Sequence, residues 1–185
     1  MKTFLKQPVI LPFLLLAIAA STIASDTPRV SRDQLVTVEK SLDSRYAKLW
    51  GDTQIVVLGP TRGIYLEGYG AVMTSEVDLV AGPTMLFIRG PLTKDEVEKF
   101  RQKKIGRLPE LRAAMKQALI DSAASLDTVP LEEQIVVVAM LSKYPWEDFR
   151  GLPHQIMMQA QKKKLLDALR SGVGTLDEAI RVQEN

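Results

Sequence analysis

The only histidine of the chain, His154, lies shortly after two carboxylates, Glu147 and Asp148. A histidine within reach of a carboxylate is a common pair for general acid–base catalysis, so these three residues are the candidate catalytic groups. No Gly-x-Ser-x-Gly or Ser-x-x-Lys motif is present to supply a hydrolase nucleophile. His154 is therefore more typical of a surface or hydrogen-bonded structural residue, and a small hydrolase is kept as the alternative hypothesis.

Glu76 and Asp78 are two residues apart in a segment that alternates between apolar and polar residues. On a strand, both carboxylates would project from one face about 7 Å apart. With a third oxygen ligand such as Glu67 or Asp148, they could hold a hard divalent cation. The segment does not resemble a calcium-binding loop, and such a pair is typical of the solvent face of a sheet. We expect a solvated face here, with a metal site as the weaker hypothesis.

The sequence predicts no bound cofactor. The chain has no cysteine, which excludes disulfides and thiolate-bound metals, and a single histidine cannot build a histidine-based zinc site. Gly68-Tyr-Gly70 lacks the third glycine of a dinucleotide-binding fingerprint. Gly59-Pro-Thr-Arg-Gly63 lacks the lysine of a phosphate-binding loop. Both segments are typical of tight turns or a bulge at strand ends.

Three aromatic residues, Tyr144, Trp146 and Phe149, are concentrated in the loop-like segment 143–153. Tyr and Trp are enriched at binding surfaces because they bury a large area with few rotatable bonds, so these are candidate binding residues. The same rings could instead close the end of a hydrophobic core. Both hypotheses are kept.

Lys103 and Lys104 are further candidate binding residues. They lie between Arg89 and Lys116, where basic residues outnumber acidic ones. Such a segment could contact an envelope protein or an anionic polymer, although solvated helix faces carry the same pattern. Only Phe100 interleaves with these charges, which argues against binding of nucleic acid.

Residues 1–25 have the layout of a secretory signal peptide, with Lys2 and Lys6, an uncharged apolar run and a small-residue exit. A membrane-spanning helix needs about 20 apolar residues. This run is shorter and contains Pro12, so cleavage is favoured over an uncleaved anchor. We expect an exported protein, periplasmic or extracellular, with no transmembrane span after cleavage.

The overall charge supports no nucleic-acid partner. The chain has 24 Lys and Arg against 22 Asp and Glu, and both leader lysines belong to the excess. Removal of the leader therefore leaves acidic and basic residues in balance.

Alternation with a period of two predicts strands, and apolar residues spaced three and four apart predict helices. We predict strands near residues 54–58, 63–66, 71–80, 134–142 and 154–160. We predict amphipathic helices near residues 31–49, 94–104, 109–125 and 162–170. Because the elements come in blocks, the expected fold is a single α+β domain over residues 26–185. Its antiparallel or mixed sheet should be covered by helices on one side.

Several finer predictions depend on single residues or short patterns. Gly59-Pro60 predicts a hairpin turn between the first two strands, and Pro109 predicts the start of a new helix. The nearly all-apolar segment 134–142 predicts a central strand covered on both faces. Residues 84–89 are a further candidate strand, and the tail 175–185 could add a helical turn or an edge strand.

No set of catalytic residue types converges in the sequence. We therefore expect a non-catalytic binding or assembly module of the cell envelope. The alternative is a small hydrolase or a metal-assisted enzyme that uses His154 and nearby carboxylates.

Overall fold

A computed structural model describes residues 30–49, 56–82, 90–171 and 174–185, with the side chains of residues 56, 57, 174 and 175 excepted. The predicted leader at 1–25 and the candidate strand at 84–89 lie outside these residues. The helices are α1 (Arg32–Lys48), α2 (Lys94–Ser125), α3 (Lys162–Ser171) and α4 (Gly174–Ala179). The strands are β1 (Val56–Val57), β2 (Arg62–Leu66), β3 (Gly70–Asp78), β4 (Gln134–Leu141), β5 (Gln155–Gln161) and β6 (Arg181–Glu184).

These elements form one mixed sheet with helices packed against it, which confirms the predicted α+β class. The strand order is β1-β3-β4-β5-β6, and β2 also pairs with β3. β3 and β4 are parallel and are connected through α2, whereas every other described pair is antiparallel. None of the described helices is long and apolar enough to cross a membrane.

The predicted hairpin at Gly59-Pro60 is wrong. β1 and β2 both pair with β3, and they follow one another along the same edge of the sheet. Val57 pairs with Val77 and Arg62 pairs with Thr74, so four residues of the edge strand lie opposite two residues of β3. The Gly-Pro pair therefore forms a bulge, where a proline without an N–H is tolerated at a sheet edge.

The chain reverses instead between β2 and β3, around Gly68, which has a φ of 76°. Gly70 opens β3 with a φ of 138°, and a Cβ added there would lie 1.9 Å from the carbonyl oxygen of Gln134. Glycine is therefore required both for the turn and for the close approach of β3 to β4.

The predicted break at Pro109 is also wrong, because α2 continues through it as one helix of 32 residues. Its N-terminus is as predicted: Thr93 and Glu96 form a capping box. Pro109 is exposed, while Arg107, Leu108 and Leu111 on either side of it are buried. Packing of this continuous buried stripe outweighs the one backbone hydrogen bond that the proline removes.

The remaining predicted elements are present with small shifts in their ends. Ser31 caps α1 through a capping box with Gln34. The segment after His154 is a strand, β5, which runs antiparallel to β4 as predicted and leads directly into α3. The tail contains both alternatives, a short helix (α4) followed by an edge strand (β6).

The helices cover one face of the sheet, here called the covered face. Buried residues of α1, α2 and α3 share one core cluster with the inward-facing residues of the central strands. These inward residues are Ala71, Met73 and Val77 of β3, Ile135, Val137 and Ala139 of β4, and Ile156, Met158 and Ala160 of β5. Burial of this apolar surface is the main stabilising contribution to the fold.

The opposite side of β2 to β5 is here called the open face. It consists of Arg62, Ile64, Leu66, Val72, Thr74, Glu76, Val136, Val138, Met140, Gln155, Met157 and Gln159. Val136 is buried between its neighbours but does not belong to the core cluster, and Met140 is 47% exposed. The prediction that 134–142 forms a central strand is confirmed, and the described helices cover one of its faces. Cover on its second face stays a prediction.

Candidate functional site

The Lys104 side chain lies at the carboxyl ends of the two parallel strands, β3 and β4, and is only 1% exposed. Its ammonium lies 3.2 Å from Asp78 Oδ1 and donates to the two carboxylate oxygens of Glu147 at 2.8 and 3.0 Å. It also donates to the carbonyl oxygen of Ser142 at 3.1 Å. We call Lys104, Asp78, Glu147 and Tyr144 the Lys104 cluster.

Aromatic rings enclose this cluster. The Tyr144 hydroxyl donates to Asp78 Oδ2 at 2.7 Å, and it accepts from the backbone N–H of Gly82 at 3.3 Å. The Lys104 ammonium lies 5.2 Å from the ring centroid of Phe100 and 5.5 Å from that of Tyr144. Ring faces at these distances attract a cation, which offsets part of the cost of removing the ammonium from water.

The pKa values of Glu147 and Tyr144 are both raised in this cluster. Burial raises the pKa of Glu147, and the hydrogen bond and charge of Lys104 oppose this rise only in part. The hydrogen bond to Asp78 raises the pKa of the Tyr144 phenol, and burial adds to the rise. The side chains of Lys104, Asp78 and Glu147 are 1%, 0% and 2% exposed. Each of these three charges is thus paired and enclosed, an arrangement that fixes α2 to the strand ends.

The structure separates the three candidate catalytic residues. Glu147 is paired with Lys104, whereas Asp148 is paired with Arg150 at 2.5 Å. The Arg150 hydrogen bonds lower the pKa of Asp148 to about 2. His154 is exposed, and its ring stacks on Phe149 with the centroids 4.8 Å apart. Among the described residues, neither carboxylate is a hydrogen-bond partner of the imidazole.

Glu76 and Asp78, the candidate metal ligands, have different surroundings. Glu76 is exposed on the open face, whereas Asp78 is fully buried in the Lys104 cluster. Within the part of the chain that the structure describes, no three histidine or acidic residues are grouped so that they could hold a metal ion.

The aromatic candidates pack on the first half of α2. Tyr144 and Trp146 stack with ring centroids 5.4 Å apart, and Phe100 meets Trp146 edge-on at 4.9 Å. Tyr144, Trp146 and Phe149 are all half-buried, which supports the hypothesis that they close the end of the core. Their role in binding stays a prediction.

The two candidate lysines point to different environments. Lys103 is exposed, and its role in binding stays a prediction. Lys104 is enclosed and cannot contact a partner in this structure, so the expectation of a two-lysine contact surface is wrong. Successive residues of a helix face different directions, which is why one of two adjacent lysines can lie inside.

The open face is the surface that sequence reasoning missed. Beyond the row that contains Leu66, cross-strand neighbours form three rows on it, of which the first holds Ile64, Val72, Val136 and Gln159. The second row holds Arg62, Thr74, Val138 and Met157, and the third holds Glu76, Met140 and Gln155. Ile64, Leu66 and Met140 are 54%, 46% and 47% exposed. A signal was present in the sequence, since 134–142 is apolar at both odd and even positions.

The charges on this face are few and of both signs. Arg62 and Glu76 are exposed, and no ion pair or side-chain hydrogen bond is found for either within the described ranges. Arg62 pairs with Thr74 across the strands, and Glu76 follows two residues later on the same face of β3. The two charges are therefore diagonal neighbours on β2 and β3, at one side of the apolar centre of the open face.

Comparison with known proteins adds no assignment: no protein-family model, no curated protein and no solved structure matches the chain.

Proposed function

We propose that the protein is a non-catalytic binding module of the cell envelope, and that its contact surface is the open face of the sheet. The observation that carries this proposal is the apolar surface of the open face: Ile64 and Leu66 on β2 and Met140 on β4 are exposed, and the half-buried Val72 and Val138 lie between them. Contiguous exposed apolar surface on a sheet is typical of a protein–protein contact.

The physical gain from covering this face is substantial. Full burial of an Ile, Leu or Met side chain contributes roughly 1.5–3 kcal/mol. Covering Ile64, Leu66 and Met140 would contribute about half of that free energy for each side chain, because each is 46–54% exposed. The partner that fits is a protein that presents an apolar surface with some polar groups at its rim.

The alternative, a small hydrolase or metal-assisted enzyme, has weaker support. Its candidate residues lie in three separate arrangements: Glu147 with Lys104, Asp148 with Arg150, and His154 on Phe149. An active site would instead bring an acid, a base and a bound substrate within hydrogen-bond reach.

The contact surface can be tested with a pair of matched variants. Met140 lies between Glu76 and Gln155, so Met140→Gln introduces a polar side chain among polar neighbours. Leu169→Gln on α3 is the control, because Leu169 is 47% exposed, as is Met140. Cross-linking in intact cells, followed by mass spectrometry, should show that Met140→Gln loses the contacts of the wild type and that Leu169→Gln keeps them. If neither variant loses the contacts, the open face is not the binding surface.

Envelope localisation is a separate part of the proposal. It is supported by the signal-like layout of residues 1–25 and by the balance of charge in the rest of the chain. N-terminal sequencing of the protein from a periplasmic or culture fraction should give a chain that starts near residue 26. Recovery of the uncleaved chain in the cytoplasm would contradict export.

A further inference from the structure

We infer that the partner of the open face is a second copy of this chain, with two open faces packed against each other across a two-fold axis. This inference rests on the proposed function, because it uses the same surface and specifies what covers it. A two-fold interface requires a surface that is complementary to itself.

The charges of the open face meet this requirement. Arg62 and Glu76 are the two charged residues of the open face as defined above, they have opposite signs, and neither is paired within the described part of the chain. A partner with a uniformly acidic or basic surface would pair with one of them and repel the other. A second copy offers each charge an opposite partner.

The strand register specifies how the copies would meet. Consider an axis that crosses the strands midway between the row of Val138 and the row of Met140. A two-fold rotation about this axis places each strand over the same strand of the second copy. The row of Val138 then lies over the row of Met140 of the second copy, and the row of Met140 lies over that of Val138. Val138 then faces Met140 of the second copy, and Thr74 faces Glu76 of the second copy.

The same rotation brings the charges together. Arg62 is the cross-strand neighbour of Thr74, so it lies one strand away from Glu76 of the second copy. One strand spacing is about 4.8 Å, within reach of an arginine side chain across sheets packed about 10 Å apart. Each copy contributes one Arg62 and one Glu76, so the interface would contain two such pairs beside its apolar centre.

A charge-swap experiment tests this arrangement on protein purified after expression of the whole chain. Sedimentation equilibrium of the wild type should show a reversible dimer. Arg62→Glu alone and Glu76→Arg alone should each weaken dimerisation by tenfold or more, roughly what an interfacial charge pair contributes. The double variant Arg62→Glu with Glu76→Arg should recover most of the wild-type dimer constant, because the two charges have exchanged places.

Two results would overturn the inference. A wild type that stays monomeric at about 100 µM shows that a second copy is not the partner, since a specific dimer is populated at that concentration. A dimer that the double variant fails to restore shows that the two charges do not meet across the axis. In either case, continued loss of cellular contacts in Met140→Gln would leave the open face as the binding surface for a different protein. If Met140→Gln also had no effect on those contacts, the proposed function would fail too.

Discussion

The two faces of the sheet are made by alternating residues of the same strands, yet they differ in what covers them. Val137 on the covered face is completely buried under the helices, whereas its neighbour Val138 on the open face is half-buried. On β3 the contrast is chemical, because Met73 and Val77 face the core while Thr74 and Glu76 face outward. On β4 both sides are apolar.

The outward-facing residues of β3 and β4 therefore predict different environments for the two strands. Polar outward residues on β3 indicate water, as expected for one face of an antiparallel or mixed sheet. The outward residues of β4 are Val136, Val138 and Met140, which indicate a covered strand. The conflict is resolved if a partner covers the centre of the open face and leaves its margins wet.

The largest expected effect is on the covered side, at Lys104. Lys104→Met should lower the free energy of unfolding by roughly 3–5 kcal/mol, because Asp78 and Glu147 would lose their buried counter-charge. Lys103→Met is the control on the solvent side of α2 and should change stability by less than about 0.5 kcal/mol. Urea denaturation followed by circular dichroism measures both. Equal effects of the two substitutions would show that Lys104 is accessible to water.

A second comparison uses adjacent valines of β4. Val137→Ala should cost about 2 kcal/mol, because it removes two buried methyl groups and leaves a cavity under α2. Val138→Ala should cost less than about 1 kcal/mol in the monomer, where its side chain is half in water. Urea denaturation at several protein concentrations measures both. If the open face is covered by a second copy, the cost of Val138→Ala should rise with protein concentration, while the cost of Val137→Ala should not.

Much of this fold could be predicted from the sequence. The period-two pattern of β3, the apolar run of β4 and the capping residues Ser31 and Thr93 predict elements that are present. The errors came where a local signal was overruled by packing. Pro109 normally ends a helix, but the stripe of Leu108 and Leu111 continues to bury apolar surface on both sides of it. Gly59-Pro60 predicts a bend. This local pattern does not show whether the chain then reverses or continues along the same edge of the sheet.

The sites were harder to predict than the fold. Lys104 looks like any lysine on a charged helix, and its burial depends on Asp78 and Glu147, which are distant in sequence. No local pattern brings these three residues together. The pattern of β4 did contain the signal for the open face, but it could not show whether a helix of this chain or another molecule covers that face.

The smallest expected effect is at the β6 edge of the sheet, where the covered face is also partly exposed to solvent. Val182 of β6 is on the covered face, as the neighbour of Met158, yet it is 48% exposed because the helix layer ends before this strand. Arg112 of α2 bridges the gap through an ion pair with Glu184, in which the side chains are 36% and 31% exposed. Arg112→Met should therefore cost only about 0.2–1 kcal/mol.

The pH dependence of this cost distinguishes the ion pair from simple packing. The hydrogen bond from Arg112 lowers the pKa of Glu184 below its ordinary value. A carboxylate with a lowered pKa in the folded state adds stability above its unfolded pKa, and this stability is lost as pH falls through the folded pKa. The deficit of Arg112→Met should thus be present at pH 7 and disappear in acid when urea denaturation is repeated across pH. An equal deficit at both ends of the range would mean that the aliphatic stem of Arg112 holds β6 against α2 and that the charge contributes nothing.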